Sequence, residues 1–232
     1  MDVLLEGFTQ AWRLLLIGDE DIWVVTGLTL RISVSATLLA VALGVPLGAV
    51  VALTRFRGRR LVLAAANTGM GLPPVVVGLF VTVLLWRSGP LGGLGLLYTS
   101  AAMVAAQAVI ATPVVVALAA TALQQVDPDF RPQMQALGAT PARAFAAVLG
   151  EARLPLLAAA MAGFGAVVSE VGAALMVGGN IEGQTRVLTT AAVLATSRGQ
   201  FALAIALGLV LLLLSFSVNL ILTVVQQHEA TR

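Results

Sequence analysis

Residues 201–225 read FALAIALGLVLLLLSFSVNLILTVV, twenty-five consecutive positions without an acidic or basic side chain. A helix needs about 20 apolar residues to cross ~30 Å of hydrocarbon. Inside lipid a single segment must satisfy its own backbone donors and acceptors, and a helix does so. Four more stretches meet the same length test, at 24–53, 61–86, 100–126 and 154–177. The fold class that follows is an all-α polytopic membrane protein with about five transmembrane helices. The remaining chain divides into an N-terminal segment (1–22), the membrane domain (23–226) and a short tail (227–232).

Composition agrees. Of 232 residues, 59% are hydrophobic and 10% charged, with a mean hydropathy of +1.00. A soluble domain is roughly 45–50% apolar and about 25% charged. All thirteen basic residues are Arg, and the formal net charge is +2. No basic face suited to nucleic acid is present. The absence of Cys excludes disulfides and thiolate metal sites. With His228 the only histidine, imidazole metal sites and triads are excluded too. The acidic start at Asp2 and Glu6 differs from the basic n-region of a signal peptide, so the N-terminus is read as retained. A chain without Lys cannot contain G-x-x-x-x-G-K-[ST], so it is not itself a P-loop ATPase.

Two apolar stretches are too short to cross. Residues 8–17 carry Trp12 and Arg13 and read as a helix lying in the interface. Residues 187–197 read as a short external or re-entrant helix. Orientation follows from Arg. Arg55, Arg57, Arg59 and Arg60 crowd the first link, which is therefore expected in the cytoplasm. Arg131, Arg143, Arg153 and Arg232 then share that side, against Arg13, Arg87, Arg186 and Arg198 on the other. The N-terminus is expected outside and the C-terminus inside.

The one long connection, 127–153, is expected to be cytoplasmic and structured, because loops of that length are commonly functional. Residues 130–137 form a short helical pattern stopped by Gly138, whose freedom at φ > 0 suits a C-cap. Thr140 then serves as N-cap and Pro141 as first helical residue of a second helix over 142–149. The elbow is built either for a protein partner or to cover helix ends.

At this loop a resemblance begins. The run Gln135-Ala136-Leu137-Gly138-Ala139-Thr140-Pro141-Ala142-Arg143-Ala144-Phe145, followed by Leu154-Pro155, resembles the cytoplasmic coupling loop of ABC importer permeases. It departs from the family pattern in two ways. Pro132-Gln133-Met134 stand at the E-A-A positions, and Pro155 lies four residues farther from Gly138 than the pattern gives. Thr29-Leu30-Arg31 with Gly44-Val45-Pro46-Leu47-Gly48 resembles the first core helix of such permeases, and 69–79 resembles the second. Ser169-Glu170-Val171-Gly172 through Gly178-Gly179-Asn180-Ile181, then Thr185-Arg186-Val187-Leu188-Thr189-Thr190-Ala191, is most like the tungstate permeases, relatives of the molybdate and sulfate permeases.

The resemblance implies the type I importer architecture, working as a homodimer in the inner (plasma) membrane by alternating access. It implies two cytoplasmic ATPase chains carrying ATP and Mg, an external tungstate-binding protein, and no cofactor on this chain. Leu137, Gly138, Ala139, Thr140, Pro141, Ala142, Arg143 and Phe145 become the ATPase-coupling residues, with Phe145 the apolar anchor. The alternatives are a molybdate or sulfate importer and, from another class, a secondary transporter or channel. No internal repeat supports the latter.

Glu170 is the only acid inside an expected span. It lies about 24 Å beyond Leu154 along a helix. An intramembrane carboxylate is a functional candidate, but it repels a dianion. It is read as structural, held by Arg or a backbone N–H, or protonated. Arg31 and Arg198 are read as interfacial, while Arg186 stays open between anion attraction and snorkelling. Pro73 and Pro74 must break the second span, and broken helices at membrane depth line pathways. Met70, Leu72 and Val75 beside them are gate candidates, since apolar constrictions close by dewetting; a kinked packing helix is the other reading. Gly44 and Gly48 form a small-xxx-small packing pair.

The topology is testable in this Cys-free chain. Arg57→Cys and Thr231→Cys should both resist an impermeant thiol reagent in intact cells. Labelling at 57 contradicts the topology, and labelling at 231 alone means that 187–197 helps to form a sixth crossing.

Overall fold

The computed structural model describes residues 5–9, 12–13 and 20–230, and within these every regular element is helical. Ten helices longer than one turn follow the first short segment. They are α1 (Glu20–Leu53), α2 (Arg59–Met70), α3 (Pro74–Leu85), α4 (Ser100–Gln124), α5 (Phe130–Ala136), α6 (Pro141–Glu151), α7 (Arg153–Val168), α8 (Gly172–Gly178), α9 (Leu188–Ser197) and α10 (Phe201–Ala230). A 3₁₀ turn, Gly92–Leu94, lies between α3 and α4.

Three helices cross unbroken, over Ile22–Leu53, Ser100–Gln124 and Phe201–His228. Their apolar side chains face outward as well as inward. Leu38, Leu43, Leu47, Leu212, Phe216 and Ile221 are all exposed, as a lipid-facing surface requires. The centre is α1 against α4. Ala36, Ala40, Ala111 and Val115 are buried together with Val167 of α7. Small residues let these helices close up. A β-carbon on Gly44 would stand 2.8 Å from Val115, and one on Gly48 would stand 2.9 Å from the Val116 carbonyl. In lipid the gain comes from van der Waals contact and hydrogen bonds between helices, so close approach stabilises the pair directly.

The second crossing is α2 plus α3, which turn by 102° at Gly71-Leu72-Pro73. Pro73 sits just before α3 and Pro74 opens it, where a missing N–H costs nothing. A turn this large is a break and not a kinked packing helix. Both ends of the crossing are fixed by neighbours. Gly69 abuts Pro113, in the middle of α4. Leu85 joins Ala102 and Met103 near the start of α4.

The fourth crossing differs from the continuous helix expected over 154–177. It is α7 plus α8, interrupted at Ser169-Glu170-Val171. Sequence periodicity could not show this, because the flanking residues are apolar on both sides of the gap. A separate 67° bend between α6 and α7 swings α6 out of the line of that crossing.

The ends now sort. Ala49 of α1, Leu123 of α4, Val148 of α6 and Ala152 pack together, and the Gln226 amide of α10 donates to the Leu154 carbonyl at 3.3 Å. The four-Arg link, the elbow and the α10 C-terminal end therefore share one end. At the other, Ile22 of α1 packs with Leu188 and Ala191 of α9 and Leu207 of α10. α9 has ten residues, too few to cross. Most of the expected interfacial helix at 8–17 lies outside the described residues; of the preceding turn, Gly7 abuts Ile205 of α10.

The tightest helix contact is α3 on α8. A β-carbon on Gly78 would stand 2.7 Å from the Ala173 Cα, so the two backbones touch. Gly78→Val should force them apart at a cost of about 1–3 kcal/mol, read as a thermal midpoint several degrees lower in detergent. Gly150→Ala, at a position with open space around it, should leave the midpoint unchanged.

Candidate functional site: two helix breaks and a solvent-facing elbow

An interrupted helix at membrane depth frees backbone groups that lipid cannot satisfy. The chain answers with side chains. Glu170 is 6% exposed, and its Oε1 accepts the Ala173 N–H of the first turn of α8 at 2.8 Å. The Glu170 carbonyl accepts the Thr189 hydroxyl of α9 at 2.9 Å. The Ser169 hydroxyl donates back to Gly165 at 2.8 Å. The carboxyl group is thus turned toward the helix start, where it accepts one of the N–H groups that have no partner within the helix. No ion pair to Glu170 exists among the described residues.

Further threonines hold α9 and the loop before it. The Thr29 hydroxyl of α1 accepts the Leu188 N–H at 2.9 Å and donates to Val25 at 2.7 Å. Thr185, fully buried, donates to the Gly178 carbonyl at 2.6 Å and accepts the Ile181 N–H at 2.9 Å. Thr190 accepts the Val187 N–H at 3.1 Å. Sequence reasoning quoted Thr29, Thr185, Thr189 and Thr190 only as part of a resemblance. The signal that marks them is threonine beside the start or end of short apolar segments, where hydroxyls bond the backbone. Tyr98, at φ 63°, was missed altogether. Its N–H donates to the Val177 carbonyl at 2.8 Å, tying the link before α4 to the end of α8.

The two breaks are neighbours. A β-carbon on Gly172 would stand 2.5 Å from Val75 Cγ2 and 3.6 Å from Val75 Cα. Val75, Met70 and Leu72, the gate candidates around the second break, are 55%, 46% and 45% exposed. Arg186 is elsewhere, on the loop between α8 and α9. Its Nη1 is 3.0 Å from Glu182 Oε2. Its Nε is buried without a partner, as is the Asn180 Oδ1 of the same loop.

At the Arg-rich end, the elbow forms from α5, Gly138 at φ +90° and α6. A β-branched residue resists that φ. The Ala139 N–H reaches back to the Met134 carbonyl at 3.0 Å, closing α5. Thr140 accepts the Arg143 N–H at 3.4 Å and Pro141 opens α6. Ala142 and Arg143 are exposed beside it. Phe145, the expected apolar anchor, lies on the bundle side of α6. It is half-buried against the Ala49, Leu123 and Val148 cluster, because a position four residues into an amphipathic helix faces the bundle. Leu137, 84% exposed, is the apolar side chain that the elbow offers.

Comparison with known proteins now decides the class. Residues 44–230 match the model of the family described as "Binding-protein-dependent transport system inner membrane component". The chain belongs to this family. As such it is an ABC importer permease, a multi-pass inner-membrane component and not an enzyme. It is 36% identical over 228 residues to the tungstate uptake system permease protein TupB of Peptoclostridium acidaminophilum, covering 98% of this chain and all of that one. It is 41% identical over 200 residues to a probable anion ABC transporter permease protein of Haloferax volcanii, covering 84% and 86%. The permease fold is also that of a solved amino acid ABC transporter with histidines, with a TM-score of 0.62 at 21% identity over 92% of this chain and 96% of that chain.

The cap on α8 makes a specific prediction for this permease. Glu170→Ala removes the acceptor and should cost about 0.5–2 kcal/mol, seen as less folded protein and a lower midpoint. Glu170→Gln keeps Oε1 and should retain most of both. A Gln variant with parental stability and no uptake would instead assign the charge to transport.

Proposed function

We propose that this permease carries tungstate inward by alternating access, as a homodimer with the pathway near its two-fold axis. The observation that carries the reading is a continuous mechanical line. The exposed elbow ends in α6, α6 turns into α7, and α7 ends at the Glu170 break, which touches the second break through Gly172 and Val75. A movement imposed on the elbow reaches the gate candidates through packed backbone, which is nearly incompressible.

On this reading the Arg-rich end is cytoplasmic, as the positive-inside bias favours. The N-terminus is outside and the C-terminus inside. Two ATPase chains, which hold the ATP and Mg, dock on the elbows at Leu137, Gly138, Ala139, Thr140, Pro141, Ala142, Arg143 and the part of Phe145 that the bundle leaves uncovered. An external binding protein delivers the anion to the end that carries Arg186. Met70, Leu72 and Val75 close the pathway as an apolar, dewetted constriction, with Pro73 and Pro74 holding the break that exposes them. Tungstate is favoured over molybdate or sulfate by the full-length likeness to a tungstate uptake permease and by the Ser169-Glu170-Val171-Gly172 run.

The test separates coupling from insertion. Gly138→Val distorts the elbow, and Leu137→Asp places a charge where an apolar partner surface is expected. Both variants should reach the membrane in normal amount, lose the ATPase chain on detergent purification, and lose tungsten uptake together. Cells carrying the parental system should accumulate tungsten ahead of molybdenum at equal low concentrations. Retained ATPase with parental uptake in both variants removes the elbow from the coupling role, and preferential molybdenum uptake reassigns the substrate.

A further inference from the structure

The permease mechanism leaves the link between α1 and α2 without a task, yet it is the densest charge in the molecule. Arg55, Arg57, Arg59 and Arg60 fall within six residues. Among the described residues no carboxylate lies within ion-pair distance of Arg55, Arg57, Arg60 or Arg131. Arg59 is partly committed, its Nε donating to the Val51 carbonyl at 2.7 Å, which pins the link to the last turns of α1. The charges border two cavities. One, of about 450 Å³, is lined by Arg55, Phe56, Arg59, Arg60 and Leu61. The other, of about 410 Å³, lies between the link and the start of α5 and is lined by Arg55, Arg59 and Arg131, with Asp127 the single acid on its wall. Arg55 and Arg59 belong to both.

Apolar surface adjoins the charge. Leu61 is 75% exposed, Val62 41% and Phe56 40%. α2 starts here and runs to Pro113, mid-way along α4, so this surface lies at the Arg-rich end of the second crossing. A free oxyanion would satisfy the guanidiniums and leave those three side chains in water. A phospholipid satisfies both, with a phosphate among the arginines and acyl chains over Leu61, Val62 and Phe56. Guanidinium is also the group that recognises phosphate through paired N–H donors, and basic pockets between helices at the membrane surface suit anionic headgroups.

We propose that the Arg55–Arg60 link is a binding site for one anionic phospholipid, whose headgroup enters the cavity of Arg55, Arg59 and Arg60 and whose chains cover the start of α2. A lipid there bridges α1 to α2, the first half of the broken crossing that carries the gate candidates. The inference does not depend on which anion the permease transports.

The assembled transporter is purified, placed in mixed micelles with graded dioleoyl phosphatidylglycerol or dioleoyl phosphatidylcholine, and its bound lipids are counted by native mass spectrometry. The parental protein should retain phosphatidylglycerol in preference to phosphatidylcholine. Arg55→Gln/Arg60→Gln should weaken that retention roughly 30-fold, as expected for two arginines near an anionic surface. Leu61→Asn keeps every charge and should still weaken it several-fold, at an unchanged thermal midpoint. Arg87→Gln, at the opposite end, should behave as parental, and excess sodium tungstate or inorganic phosphate should not displace the lipid. Equal retention of the two lipids, parental retention in the double variant or in Leu61→Asn, equal loss in Arg87→Gln, or displacement by either free anion would each overturn the proposal.

Discussion

Backbone N–H and C=O groups cannot be left unpaired in hydrocarbon, and this fold interrupts two of its five crossings there. Several of the buried polar side chains answer that constraint at the breaks and at the ends of the short segments beside them. Glu170 caps the helix that restarts after one break, and Thr189 closes the carbonyl beside it. Thr29 and Thr190 satisfy the start of α9, and Thr185 the end of α8. Pro74 removes one donor of the other break outright. A continuous fourth crossing would need neither the Glu170 cap nor the Thr189 tie, so these two mark where the chain gives up regular structure.

The breaks are stable because they are shared. Gly78 and Gly172 let α3 and α8 meet without intervening side chains, which gives the two half-helices dispersion contact in place of the hydrogen bonds that they lost. The two half-helices are thereby packed directly against each other. That packing suits alternating access, in which one body rocks against another. On the proposed reading the elbow is the lever at one end, and Met70, Leu72 and Val75 are the gate that it works.

Much of this was legible in the sequence. The five crossings follow from apolar length, the break at Pro73-Pro74 from proline's missing donor, and the elbow from Gly138, Thr140 and Pro141. The break at Glu170 was not, since a run of apolar residues on either side of a single acid has the same period whether or not the helix continues. The partial packing of Phe145 on the bundle was hidden for a related reason. An aromatic in a short amphipathic helix serves a partner or its own bundle equally well, and only the position of α1 and α4 decides. Two of the threonine ties were invisible because they join separate segments of the chain, Leu188 to Thr29 and Thr189 to Glu170. These are tertiary facts that local pattern does not encode.

The account rests on the meeting of the two breaks, and a disulfide reads it directly. With no native Cys, Val75→Cys/Gly172→Cys is the only thiol pair in its chain. The Gly172 β-carbon position is 3.6 Å from the Val75 Cα, so the two backbones are close enough for a disulfide to be tried between them. The double variant, oxidised in native membranes and analysed by intact mass, should lose two hydrogens within one chain and keep its tungsten uptake, because α3 and α8 move as one body. Two persistent free thiols would show that the breaks do not meet, and complete cross-linking with abolished uptake would show that they must separate for transport.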